Sequence, residues 1–281
     1  MTQEKPTAVE IKFANYFRSD KNDYVLAKVV EHYSDGRKVP ALREFKNFER
    51  SIYITRPPYR NHQQKKECEF IDRLQEFKCR QMDLIPTISK ALGYRGKYNG
   101  TLKQLCRSPY VYNVDITTPS IIVNTYKKKY PEAVTPYSVA VLDIETNVHT
   151  IDQDPIIVSV TFGNRAVMCI DKHWLGKENC VKSKIIEYCK KYEGDLIEKR
   201  NIDIEVYLGE HGGDIAQYAI SKINEWMPDF VCIWNIDFDI PKILAVLEKF
   251  GYNPADVFSH PSVPKEFRKA YFYMDDKPQR K

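Results

Sequence analysis

The sequence predicts an α/β protein in two parts, a smaller α+β part at residues 1–135 and an α/β part at residues 136–281. Its length of 281 residues is about twice that of a usual domain, so each part is long enough to bury a core. A charge run with two prolines, residues 127–136, interrupts the apolar patterning. Beyond it, three β-rich runs give way to alternating helix and strand patterns, which is typical of a sheet with crossover helices.

The first part begins with strand-like alternation at residues 13–30 and 51–55. Residues 63–80 then predict a helix, because three apolar side chains recur at helical spacing: Phe70, Leu74 and Phe77. We therefore expect this part to combine strands with a helix.

The approach to that helix, residues 56–66, combines cations with ring side chains. Rings beside Lys and Arg suit single-stranded nucleic acid, which makes Arg60, Lys65 and Lys66 candidates for nucleic-acid binding. The alternative is an ordinary solvated helix start. If the binding interpretation holds, neutralising Lys65 and Lys66 lowers the salt dependence of binding to single-stranded DNA.

The second part begins with three short β-rich runs, at residues 139–142, 156–162 and 166–170, and Gly163-Asn164 is a good hairpin turn between the last two. Helical and strand patterns then alternate along the chain: a helix at 181–192, a strand at 205–208, a helix around 215–227, a strand at 229–234 and a helix around 240–247. In the last helix we place Pro241 in the first turn. This order is that of an RNase H-like α/β layer, with three antiparallel strands followed by β/α crossovers.

Composition excludes several classes of protein. The seven cysteines include no C-x-x-C pair, which fits neither a disulfide framework nor a structural zinc site, so we expect reduced thiols. The longest apolar runs fall far short of the roughly 20 residues that span a bilayer. The charged start resembles no signal peptide. We therefore expect no membrane association and a cytoplasmic location.

The charge is unevenly distributed between the two parts. Residues 1–135 hold 25 Lys and Arg against 15 Asp and Glu, whereas the remainder holds 18 against 23. A basic first part indicates contact with a polyanion, and an acidic second part indicates collected carboxylates. Two ordinary solvated surfaces are the alternative.

The most informative motif is Asp143-Ile144-Glu145, directly after the apolar run 139–142. Residues two apart on a strand share a face, so both carboxylates project together and suit Mg²⁺ or Mn²⁺. A second copy, Asp203-Ile204-Glu205, has the same spacing. Asp239 favours the first copy, because it follows a strand and lies 96 residues beyond Asp143 but only 36 beyond Asp203.

These motifs resemble those of family B DNA polymerases, the phage members in particular. Residues 143–146, Asp-Ile-Glu-Thr, are similar to the first exonuclease motif of the family, and Asn235-x-x-Phe238-Asp239 is similar to the second. The resemblance covers residues 137–250 well, and it reaches the first part mainly through position and through residues 60–66.

The resemblance implies a 3′-5′ proofreading exonuclease. Asp143, Glu145 and Asp239 would hold two divalent ions, Mg²⁺ or Mn²⁺, for hydrolysis of the 3′-terminal phosphodiester. Asn235 would support the metal site and Phe238 would pack near the terminal nucleotide. The partners implied are a single-stranded DNA 3′ end or primer-template and the remaining polymerase part. A phage-encoded protein would work in the host cytoplasm.

The third exonuclease motif of the family, Y-x-x-x-D, is matched in letters by Tyr271 and Asp275. This match lies only 36 residues after Asp239, whereas the family places many more residues between the two motifs. Apolar and polar residues also alternate over 267–274, as in one strand of a hairpin. We therefore expect Asp275→Ala to leave activity unchanged, and activity to be weak. The polymerase motifs are absent, so we expect a truncated polymerase or one product of a split gene. The alternatives are a complete stand-alone exonuclease and a non-catalytic DNA-binding or docking module of a replicase.

Overall fold

A computed structural model describes residues 4–67, 69–96, 98–176 and 181–270 of the chain. The chain divides into two compact units at Thr135 and Pro136. The first unit contains antiparallel sheets, and the second contains a five-stranded mixed sheet with helices packed on it. A mixed α/β fold, as the sequence predicts, is therefore confirmed. Within the described ranges, no helix is both long and apolar enough to cross a membrane.

The first sheet of unit 1 is an antiparallel meander of three strands: β1 (Ala8–Arg18), β2 (Asp23–His32) and β3 (Lys38–Lys46). Alternate residues of β2 are buried, as expected for a sheet with one face in a core. Helix α3 (Thr118–Lys129) packs against β1, and Tyr126 of this helix contacts the Phe45 ring edge-on. Residues 13–30, which read as strand-like, are thus the two halves of a hairpin.

The second sheet of unit 1 has the order β5-β4-β6, from β4 (Glu49–Thr55), β5 (Leu74–Arg80) and β6 (Val111–Tyr112). Helices α1 (Leu84–Leu92) and α2 (Leu102–Cys106) bury Ile88 and Leu105 in the same core as Ile52 and Ile54. Arg50 is almost fully buried and donates to the carbonyls of Asn113 and Ile116, which ties the chain after β6 to β4. Burial lowers the pKa of this guanidinium.

The predicted helix at 63–80 is wrong. Residues 74–80 form strand β5, which pairs antiparallel with β4 and places Phe77 opposite Ile52. Ile71–Arg73 is a single 3₁₀ turn, and Phe70 is 66% exposed, so the apolar stripe expected of a helix is not buried. Strand β4 needs a hydrogen-bonded partner, and that tertiary requirement outweighs the helical spacing of three apolar residues.

The sheet of unit 2 has the order β10-β9-β8-β7-β11. Its strands are β7 (Val139–Thr146), β8 (Pro155–Phe162), β9 (Arg165–Asp171), β10 (Asp203–Gly209) and β11 (Phe230–Ile233). The first three are consecutive and antiparallel, as predicted. β10 then pairs parallel with β9 at one end of the sheet, and β11 pairs parallel with β7 at the other.

Four helices follow the third strand in the described part of unit 2: α4 (Lys182–Arg200), α5 (Gly212–Trp226), α6 (Ile236–Lys249) and α7 (Pro254–Phe258). Helix α5 lies across β8, β9 and β10 and contacts α6. The helix predicted around 215–227 is present as α5, and its apolar face packs inward: Ile215, Ala219 and Trp226 are buried in the core and Ile223 packs against it. One face of the sheet is therefore the core face.

Helix α6 begins earlier than predicted. It starts at Ile236, so Pro241 lies inside the helix and not in its first turn. As a result, Phe238 and Asp239 belong to the first turn of α6, directly after strand β11. The strand predicted from residue 267 begins instead as a 3₁₀ turn, Lys265–Phe267, and residues 271–281 lie outside the described ranges.

Candidate functional site

Strand β7 carries Asp143 and Glu145 on its exposed face. Ala140, Leu142 and Ile144 alternate with them and are buried in the core. Each strand residue projects to the face opposite its neighbour, so burial of these apolar side chains turns both carboxylates outward together. The register with β8 shifts between Glu145 and Thr146, which marks a β-bulge immediately after the second carboxylate. Such bulges bend a strand and redirect its side chains.

Asp239 reaches the same region from helix α6. Strand β11 runs parallel to β7 and pairs Ile233 with Leu142, so the chain leaves β11 beside the position of Asp143. Asp239 is 3% exposed, and its Oδ2 atom has no hydrogen-bond partner within the described ranges. A buried carboxylate oxygen without a partner is costly, which makes this atom a candidate ligand for a cation.

The three carboxylates interact electrostatically. Burial raises the pKa of Asp239, the backbone N–H of Asn235 opposes that shift, and the charges of Asp143 and Glu145 raise the pKa further. Like charges within electrostatic range make ionisation harder, and a divalent cation would relieve that repulsion. The sequence-predicted residues are therefore brought into one acidic site.

This site is not a preformed metal cage. Among the residues that the structure describes, no group of three or more His, Cys, Asp or Glu side chains is arranged to hold a metal ion. The donor chemistry nevertheless suits a hard cation, because all three groups supply oxygen and Asp239 Oδ2 lacks a partner in the described part of the chain. Mg²⁺ usually keeps several water ligands and takes few from the protein, so an open carboxylate set is compatible with it.

Asn235 and Phe238 flank Asp239 in different environments. Asn235 is the N-cap residue of α6, but its exposed side chain makes no capping hydrogen bond. Phe238 packs against the core of unit 2, and Lys242 Nζ lies 5.5 Å from the centre of its ring. Phe238 therefore anchors the first turn of α6, whereas the Asn235 amide stays available to a ligand.

An apolar surface surrounds the two carboxylates of β7. Val139 and Val141 lie on the same face of β7 as Asp143, and both are more than 40% exposed. Strand β11 adds Phe230 opposite Val139, and Trp234, directly after β11, is 96% exposed. This surface could not be predicted from the sequence. The alternation of residues along β7 shows that the strand has two faces, but it does not show that the second face is exposed to solvent.

The second acidic tripeptide has a different environment. The Glu205 carboxylate accepts hydrogen bonds from the Tyr218 hydroxyl and from Lys222 Nζ, the latter at 2.9 Å. Burial raises the pKa of Glu205, but these two donors outweigh burial and lower it overall. The hydrogen bond with Glu205 in turn raises the pKa of Lys222. This copy is a structural ion pair.

The candidate nucleic-acid residues of unit 1 all have internal partners. The Arg60 guanidinium donates to the carbonyls of Thr55 at 2.7 Å and Ala91 at 3.0 Å, so it caps the end of α1. Lys66 Nζ pairs with Glu69 at 2.9 Å, and Lys65 Nζ donates to a backbone carbonyl at 3.3 Å. Of the three, Lys65 is the weakest bound and the most available to a phosphate.

The letters of the third motif, Tyr271 and Asp275, lie outside the described ranges. No protein-family model matches the chain, and no curated protein matches it either. The resemblance to family B DNA polymerases therefore stays an expectation from the two sequence motifs.

Proposed function

We propose that this chain carries the 3′-5′ exonuclease module of a family B DNA polymerase on an RNase H-like sheet. The observation that carries the proposal is Asp239: a buried carboxylate with one oxygen that has no partner among the described residues, whose pKa is raised by burial and further by the charges of Asp143 and Glu145. Perturbed carboxylates of this kind cluster at functional sites. The strand order and the two exonuclease-like motifs support the same proposal.

Asp143, Glu145 and Asp239 would hold two divalent ions, Mg²⁺ or Mn²⁺. When bound, such ions activate water and stabilise the leaving 3′-oxygen of an in-line displacement. The chain's own contribution is positional. Strand β7 turns two carboxylates outward, and α6 presents the third from a buried position that side-chain motion cannot easily disturb.

The open face beside the carboxylates gives a DNA end access to them. Val139, Val141 and Trp234 are exposed there, and an aromatic ring next to an acidic site suits an unpaired base. The Asn235 amide, which has no capping bond, is free to donate to a sugar or phosphate oxygen of the terminal nucleotide. Phe238 supports this arrangement from within the core.

The proposal implies two partners. One is a single-stranded DNA 3′ end, delivered alone or from a primer-template. The other is the remaining polymerase part, from the same gene or as a separate subunit, which would supply the third exonuclease motif. Without it, one ion lacks an anionic anchor, and we expect weak hydrolysis.

The test is digestion of a 20-nucleotide single strand labelled at either end, with Mn²⁺, with Mg²⁺ and with a chelator. We expect slow, metal-dependent release of labelled mononucleotide from the 3′-labelled strand and a ladder of shortened products from the 5′-labelled strand. Release of mononucleotide from the 5′ label, or equal cleavage with chelator, would contradict the proposal. Asp275→Ala tests the third-motif letters, and we expect it to change nothing.

A second candidate function is a non-catalytic DNA-binding or docking module. The finding that favours it is the lack of a three-ligand group among the described residues. The two candidates differ in one result: the module binds single-stranded DNA but releases no nucleotide at any Mn²⁺ concentration, even when the protein is in excess over DNA.

A further inference from the structure

A cleft of about 510 Å³ lies in unit 1, and of the residues 56–66 that the sequence singled out, Arg60 lines part of it. Tyr94, Tyr98 and Tyr110 line it together with Arg107. The Tyr94 and Tyr98 rings lie 5.3 Å apart at a tilt of 43°, and Tyr94 is 54% exposed. A second hollow, of about 440 Å³, is lined by the same two rings and by Lys90. The two rings are thus accessible from both sides.

Tyr98 lies close to Gly100. A Cβ atom built on Gly100 would lie 2.4 Å from the Tyr98 hydroxyl oxygen, so a larger residue there would require the ring to move. Tyr110 is fixed, because its hydroxyl donates to the carbonyl of His62 at 2.8 Å. A ring held before its ligand arrives loses little entropy on binding.

The segment around the cleft is rich in basic residues and contains no acidic residue. No Asp or Glu occurs between residues 84 and 114, whereas this stretch holds five Lys and Arg. Four of the five lie in the described ranges, and all four are exposed with no ion pair or side-chain hydrogen bond to any described residue: Lys90, Arg95, Lys103 and Arg107. In contrast, Arg60 and Lys66 are occupied by internal partners.

We propose that this cleft binds single-stranded nucleic acid, with Tyr94 and Tyr98 stacking on bases and Arg95 and Arg107 contacting phosphates. Every base offers a face for stacking, and arginine is well suited to phosphate oxygens. The volume lies within the range of sites that hold one small ligand, so we expect a base or two to enter while the backbone stays outside. An acidic peptide would match the charge but would make no use of the exposed rings.

The test is filter binding of 5′-radiolabelled dT15 and rU15 to the full chain in chelator, so that hydrolysis by the other unit plays no part. Tyr94→Leu with Tyr98→Leu keeps apolar bulk but removes the rings, and we expect binding to weaken about tenfold or more. Tyr94→Phe with Tyr98→Phe keeps the rings and should bind like the unmodified chain. Gly100→Ala crowds the tip of the Tyr98 ring and the Gln104 side chain but keeps both tyrosines, and it should weaken binding less than the leucine pair.

The phosphate contacts are tested through salt dependence. Removing two contacts with Arg95→Gln and Arg107→Gln should reduce the slope of log K against log salt by about 1.4. The matched control is Arg18→Gln with Lys38→Gln, two exposed cations on the other sheet of unit 1, which removes the same charge and should leave the slope unchanged. Circular dichroism and a thermal melt show that each variant is folded.

Three results would overturn the proposal: an equal slope change in the Arg18/Lys38 control, binding by the leucine pair as tight as that of the phenylalanine pair, or competition by polyglutamate as effective as that by dT15. A larger effect of Lys65→Gln with Lys66→Gln than of the Arg95/Arg107 pair would move the site back to residues 56–66. Tighter binding of rU15 or of dT15 identifies RNA or DNA as the natural ligand. Because chelator is present, failure here leaves the proposed nuclease untouched.

Discussion

The tripeptide Asp-Ile-Glu occurs twice in unit 2, on strands β7 and β10, in two contrasting environments. On β7, a strand inside the sheet, Asp143 and Glu145 face outward, and their charges add to the effect of burial in raising the pKa of Asp239. On β10, which ends the sheet order, Glu205 is bound by Tyr218 and Lys222 of helix α5. The same three letters thus give an unsatisfied acidic site in one place and a satisfied ion pair in the other.

The difference teaches that the neighbours of a carboxylate decide its role. Helix α5 covers the core face of β8, β9 and β10 and brings a cation to Glu205. The outward face of β7 receives no cation from the described residues, and α6 adds a third carboxylate instead. Carboxylates that repel one another and have no cation beside them are suited to bind a cation from solution.

The largest expected effect is on hydrolysis. Asp143→Asn should reduce the rate of 3′-nucleotide release by more than the roughly 10–100-fold that follows loss of a residue behind the ligands, because we propose Asp143 as a direct metal ligand. Asp203→Asn, at the matching position of the exposed second copy, should keep full activity. Rates per folded molecule, measured with Mn²⁺, check this. Equal losses in the two variants would mean that the tripeptides are not distinguished by their environments.

A smaller effect is expected on thermal stability. Mn²⁺ at about 100 times its Kd should stabilise the native state by about 2.7 kcal/mol, since the ion binds folded protein in preference to unfolded protein. The increase in Tm should occur in Asp203→Asn and be lost in Asp143→Asn. A calorimetric or circular dichroism melt with and without Mn²⁺ measures it. An equal increase in both variants would place the ion elsewhere.

The smallest effects are on folding stability, and they should have opposite signs for substitutions at Asp239 and Glu205. Because the folded pKa of Asp239 is raised, ionisation of this carboxyl group destabilises the folded chain as pH rises through that pKa. Asp239→Asn should therefore stabilise the chain by about 1 kcal/mol at pH 7.5 in chelator. The lowered pKa of Glu205 means stability that is present at neutral pH and lost as pH falls through the folded pKa.

Glu205→Gln should therefore destabilise the chain at pH 7.5, by about 0.5 kcal/mol because the carboxylate is partly exposed. Both effects should shrink as pH falls from 7.5 to 3, that of Asp239 first because its folded pKa is raised and that of Glu205 last because its folded pKa is lowered. Urea unfolding of both variants at the two pH values measures them. Changes of the same sign at pH 7.5 would refute the assigned environments.

The fold of unit 2 was largely predictable, because apolar residues recur along its strands and helices with regular spacing. The alternation along β7 and the spacing of Ile215, Ala219 and Trp226 are read directly from the sequence. Unit 1 was less predictable. Strand β5 forms because it pairs with β4, which is distant in sequence. Strand β3 contains Pro40, and a proline within a run of residues argues against a strand.

The candidate site residues were selected from the sequence, but their environment could not be. Spacing selected Asp143, Glu145 and Asp239, yet nothing local indicates that Asp239 is buried with an oxygen that lacks a partner among the described residues. Likewise, no local pattern shows that Arg60 caps α1 through the Ala91 carbonyl. These properties depend on elements that are distant in sequence.

The exposure of Trp234 has an optical consequence. The three tryptophans differ widely in exposure: Trp226 is 6% exposed and lies against Phe162, Trp174 is 49% exposed, and Trp234 is 96% exposed. The indole of Trp234 should emit at the longest wavelength and be the most open to quenching by iodide. Since it lies directly before Asn235, its emission would report occupancy of the acidic site without any added dye.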